Sequence, residues 1–108
     1  MPQSLVVFVT CSSLAEARRV ATSVVESRLA ACANLLPGQV ESVYRWKGRV
    51  ERAKERLLLI KTTRVKFAAL RSKILRLHSY EVPEIIAVPI AAGLPAYLAW
   101  LQDSVRKP

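Results

Sequence analysis

The sequence predicts an α+β domain: a ferredoxin-like βαββαβ sandwich with a long β-hairpin and a C-terminal helix. Three observations predict it. Strand-like runs alternate with amphipathic stretches over 108 residues, a length that suits one core, so residues 1–108 form a single domain. The runs ESVYRW and RVERAKERLLLIKTT flank Lys47-Gly48, a two-residue turn in which glycine supplies positive φ. A hydrophobic content of 52% excludes a disordered polar chain and predicts real burial.

The first element is a strand over residues 5–9, LVVFV, a β-branched and aromatic run of the kind covered on both faces. Ser12 and Ser13 then offer an N-cap, with Glu16 three residues after Ser13 as in a capping box. The helix that follows puts Leu14, Ala17, Val20, Ala21, Val24 and Val25 on one face. Glu16, Arg18, Arg19, Ser23, Glu26 and Ser27 fall mostly on the other. A second strand is expected within residues 29–38, closed by Pro37-Gly38.

Hairpin arms follow at residues 40–46 and 49–62. Residues 63–77 form the second helix, with Phe67, Leu70, Ile74 and Leu77 inward and five bases but no acid along it. Residues 85–90 are a further strand, and Pro89 assigns it to an edge or a bulge. Pro95 suits the first turn of a last helix, striped by Leu94, Leu98, Leu101 and Val105. The far end of the hairpin, residues 44–57, reaches beyond what two short helices cover, so a neighbouring subunit is expected to cover it.

Seventeen basic against eight acidic residues give a formal charge of +9, which attracts anions in general and selects no ligand class. No membrane partner is expected, because Pro89, Gly93 and Pro95 break the uncharged run 85–101 into pieces too short to span. Two cysteines are too few for a disulfide scaffold, and the opening residues lack a signal-like pattern; both thiols are expected reduced, in the cytoplasm. Tyr44, Arg45 and Trp46 suggest a nucleic-acid stacking patch, but strand alternation separates the aromatics from the bases and no ribonucleoprotein signature is present. No nucleic-acid partner is expected. With one histidine and glycines only at 38, 48 and 93, no nucleophile–base set or phosphate-cradling loop can be drawn, so no enzyme is predicted.

The densest polar cluster is His78, Tyr80, Glu81 and Glu84. Imidazole with carboxylates suits copper, zinc or nickel. The bland alternative leaves His78 capping the last carbonyls of the second helix and Glu84 in solvent. Cys11 and Cys32 each follow a strand-like run, either as small buried hydrophobes or as soft metal ligands.

The blocks RLAACANLLPG, SVYRWKGRV, LLLIKTT, LHSYEVPEIIAVPI and the closing G-x-x-x-YL-x-WL resemble the CutA family of divalent-cation-tolerance proteins, from about residue 5 to residue 103. The resemblance implies a ferredoxin-like subunit in a homotrimer similar in architecture to the PII proteins, with Tyr44, Trp46 and Trp100 at the interface. It implies a response to divalent metal ions, copper above all, with no cofactor required. By motif, His78 stands for the family's metal-associated histidine and Cys32 for the cysteine of its L-A-A-C block; Cys11, Glu81 and Glu84 are further candidate ligands. Val9 and Leu77 stand where some members carry a cysteine and a second histidine, and Ser79 replaces a usual proline, so only weak binding is expected. The other expectation is a PII-like signalling trimer holding an anionic small molecule in the clefts between subunits, with Arg45, Lys61, Arg64 and Tyr80 as cleft ligands.

Overall fold

In the computed structural model, which describes residues 3–106, the elements follow as β1 (Ser4–Cys11), α1 (Leu14–Glu26), β2 (Cys32–Leu35), β3 (Val40–Trp46), β4 (Arg49–Thr63), α2 (Arg64–Leu77), β5 (Ile85–Pro89) and α3 (Pro95–Ser104). The 15-residue strand β4 organises the sheet. Its second half lies between β1 and β2, and its first half pairs with β3. On the far side of β1 lies β5, antiparallel and at the edge, where Pro89 leaves no ladder partner lacking a donor.

Both β2 and β3 run along β4, Cys32 opposite Lys61 and Trp46 opposite Arg49. They are two halves of one strand interrupted at Pro37-Gly38, where Gly38 takes a φ of +74° and the Arg56 guanidinium donates to its carbonyl. With the halves counted together, the strand order is that of a split βαβ ferredoxin-like sandwich. The first half is shorter than residues 29–38 suggest. Leu29 and Ala30 instead donate to the Val24 carbonyl and close α1, with Arg28 in left-handed backbone.

The core lies under α1 and α2. Val7, Val9 and Cys11 of β1 meet Leu58 and Ile60 of β4, Ala17, Val20 and Val24 of α1, and Leu70 and Ile74 of α2. Phe67 and Leu77 seal its margin, so the inner face of α2 is the one its periodicity predicts. A smaller second core joins Leu101 and Val105 of α3 to Ala31 and Ile90. Leu94 stays outside it, 70% exposed, because it precedes α3 as its N-cap. Val25 is likewise exposed, whereas Glu16, expected on the polar face, is buried.

Lys47 and Gly48 both have positive φ, the primed turn that matches the twist of two antiparallel strands. The hairpin arms carry Val43, Tyr44, Trp46 and Val50, all exposed.

Candidate metal centre

Three chain segments meet where β1 ends. Cys11 is its last residue and fully buried, part of the core cluster. Ser13 then caps α1 by accepting the Glu16 N–H at 3.1 Å. The reciprocal bond closes one residue early: Glu16 Oε1 accepts the N–H of Ser12, not of Ser13, at 3.1 Å. Its other oxygen accepts the Ser79 N–H at 2.9 Å. Glu16 therefore ties the start of α1 to the turn after α2.

His78 caps α2 with its backbone N–H, which donates to the Ile74 carbonyl at 2.9 Å. Its ring turns away from the helix carbonyls and reaches β1. Nε2 lies 2.7 Å from the Thr10 carbonyl oxygen, which can only accept, so Nε2 carries the hydrogen. Nδ1 then accepts the Tyr80 N–H at 3.0 Å. Glu16 Oε1 stands 3.7 Å from the same nitrogen.

Cys11, Glu16 and His78 are all buried, and each offers a ligand atom within 4.8 Å of the others. Burial acts to raise the Glu16 carboxyl, but bonds from the Ser79 side chain and the Ser12 and Ser79 N–H groups, with His78 beside it, hold it below the usual glutamate range. The Cys11 thiol is pushed up to about 12, first by burial and then by the charges of Glu16 and Glu55, with Arg19 opposing. A sulfur, an imidazole nitrogen and an ionised carboxylate form a donor set that fits zinc or copper.

Other candidates lie elsewhere. Cys32 occupies the side of β2 opposite Ala33 and Leu35, which pack on the main core. There its thiol faces the Asn34 carbonyl oxygen, which also accepts from the Lys61 ammonium. Tyr97 of α3 lies beside Cys32; burial first, and then that thiol, raise the phenol. Glu81 and Glu84 are exposed. Tyr80 does adjoin the cluster, its ring centroid 4.9 Å from that of His78 and its hydroxyl donating to Glu55 Oε2 at 2.7 Å.

Within the single chain Arg45, Lys61 and Arg64 lie apart. Arg45 sits opposite Val50 near the hairpin tip, Lys61 opposite Cys32, and Arg64 at the start of α2, where it donates to the Gln3 side chain. A cleft of about 490 Å³ beside Tyr80 is lined instead by Glu55, Glu84 and Tyr44. Tyr44, Trp46 and Trp100 stand 43%, 41% and 46% exposed on the single chain. Glu16 is the site residue that sequence reasoning left out; the one signal for it is the T-C-S-S-x-x-E spacing, which turns an N3 carboxylate back toward the strand end.

Comparison with known proteins bears on what this geometry is for. The family described as CutA1 divalent ion tolerance protein matches residues 5–104. A divalent-cation tolerance protein CutA of Thermus thermophilus is 48% identical over 99 residues, 92% of this chain and 95% of the relative. A chloroplastic protein CutA of Arabidopsis thaliana is 44% identical over 103 residues, and there the match spans 95% of this chain but only 56% of the relative. The crystal structure of CutA1 from Oryza sativa superposes with a TM-score of 0.92 at 43% identity, covering 99% of this chain and 97% of that one. The chain belongs to the CutA1 family of divalent ion tolerance proteins.

Proposed function

We propose that the chain serves divalent-cation tolerance as a cytoplasmic binding protein and not an enzyme, holding copper or another divalent ion weakly at Cys11, Glu16 and His78. The observation that carries this is the convergence of a thiol, a carboxylate and an imidazole within 4.8 Å in a buried corner. The names of the relatives, divalent-cation tolerance proteins, point the same way.

In this reading the binding is weak. Cys11 must give up a proton from a thiol pushed to about 12, and Nδ1 must give up the Tyr80 N–H. Affinity therefore rises with pH, and loading releases a proton. Within one chain, Glu55 and Glu84 line the cleft beside Tyr80, which suits a cation better than an anion there.

The working unit in this proposal is a homotrimer. It is supported by exposed apolar side chains on the hairpin and on β5, where Val43, Val50, Ile86 and Val88 are about half exposed or more. A sedimentation mass three times that of one chain is expected, and a monomer at micromolar concentration overturns it.

Calorimetric titration of Cu(II) and Zn(II) tests the site. Saturable binding is expected in the wild type, with loss in Cys11→Ala and His78→Ala and weakening in Glu16→Gln. Equal binding in all four proteins, each shown to be folded, makes the corner a structural joint only.

A further inference from the structure

His78 has one nitrogen to offer a cation. Nε2 is committed to the Thr10 carbonyl, and it is Nδ1 that faces Glu16. An imidazole nitrogen without hydrogen has a single in-plane lone pair, and on Nδ1 that pair already accepts the Tyr80 N–H at 3.0 Å. It cannot serve a cation and an N–H together. Tyr80 is moreover held in place from its other end, where its partly buried hydroxyl donates to Glu55 Oε2 at 2.7 Å. Glu55 is only 5% exposed and stands opposite Val40 at the base of the hairpin. Two hydrogen bonds from one residue thus join the buried corner to β4.

We propose that Tyr80 is the gate of the cation site: docked on Glu55 it closes Nδ1, and loading requires it to undock. This inference rests on the reading that the cation uses Cys11, Glu16 and His78. It gives Tyr80 a positioning role and makes the hairpin base the element that responds to the cation. Coupling of this kind is reciprocal, so whatever loosens Tyr80 from Glu55 strengthens binding at His78. On the single chain Tyr80 borders open clefts on the side of Tyr44 and Trp46.

Zn(II) titrations of wild type, Tyr80→Phe, Glu55→Gln and Cys11→Ala test the gate, with hydrogen exchange of the Tyr80 amide followed by NMR. Tyr80→Phe removes one hydrogen bond from the closed state and should tighten zinc binding about three- to tenfold. Glu55→Gln keeps an uncharged acceptor and should fall between wild type and Tyr80→Phe. In the wild type the Tyr80 amide should exchange slowly without zinc and faster when zinc is saturating. A merely structural Tyr80 predicts the opposite sign, weaker binding in the loosened variants. Unchanged or weaker binding in both variants, or a Tyr80 amide equally protected at saturation, overturns the gate while leaving the site intact. Zinc bound equally well by Cys11→Ala, or not bound by the wild type, overturns the site and the gate with it.

Discussion

On the side of the sheet covered by α1 and α2, Val7, Val9, Leu58 and Ile60 are fully buried. On the opposite side Ile86 and Val88 of β5 stand 57% and 48% exposed, and Trp100 of α3 stands 46% exposed. Ile86 and Val88 pair with Phe8 and Val6 of β1, so alternation turns them away from the side that Val7 and Val9 face. Folding of one chain finishes one side. On the other, α3 buries Leu101 and Val105 in a small second core and leaves the apolar residues of β5 exposed.

The largest effect should come from breaking the finished side. Leu58→Ala removes a fully buried side chain from the centre of β4 and should cost about 2–5 kcal/mol in denaturant unfolding. The matching change on the open side, Ile86→Lys, should leave the far-ultraviolet circular dichroism unchanged. It should shift sedimentation toward the single chain. If instead it unfolds the protein, the open side is part of the subunit's own core.

Glu16→Ala probes the corner where the finished side ends. It strands the Ser12 and Ser79 N–H groups, and a loss of about 1–3 kcal/mol is expected. Because folding holds the Glu16 carboxyl below its ordinary value of 4.5, its contribution is full above that value and fades as pH falls through the lowered folded one. The wild type should therefore lose its advantage over Glu16→Gln in acid-induced unfolding.

The two thiols compare the sides directly. At pH 8, iodoacetamide should modify the partly exposed Cys32 while Cys11 reacts only in denaturant. Folding raises the Cys11 thiol from 9.0 to about 12, so its contribution to stability is intact below 9.0 and is lost as pH climbs toward 12. Cys11→Ala should flatten the alkaline decline. The smallest effect is expected at the hairpin tip. Lys47 has a φ of 51°, which asparagine adopts more readily, so Lys47→Asn should raise the thermal midpoint by the equivalent of about 0.5 kcal/mol.

Local chemistry made much of this fold legible in the sequence. The Lys47-Gly48 turn fixed both hairpin arms, the spacing of Phe67, Leu70, Ile74 and Leu77 gave the inner face of α2, and Pro89 marked the edge strand. What depended on tertiary register was not legible. Cys11 and Cys32 look equivalent in sequence, yet the pairing of Cys32 with Lys61 sends it to the side away from Cys11. Glu81 and Glu84 are near His78 in sequence but exposed, whereas Glu16, 62 positions away from it, reaches within 3.7 Å of its ring. Helical periodicity assigned Glu16 to solvent because it describes a helix wall, and an N3 side chain folds over the helix end instead.

The two-residue turn at Lys47-Gly48 has a consequence for how the length of this protein can vary. With Trp46 opposite Arg49 and Val40 opposite Glu55, the arms are in strict step. A residue added to one arm alone makes a bulge, or slips every later side chain to the other face. Length can change without penalty only in matched pairs, one residue per arm, each pair extending the ribbon by about 3.4 Å. The turn returns to its original facing after every second pair. The hairpin is a ruler graduated in whole pairs, and a grafted sequence or natural insertion that respects the graduation keeps the pattern of outward and inward side chains below it.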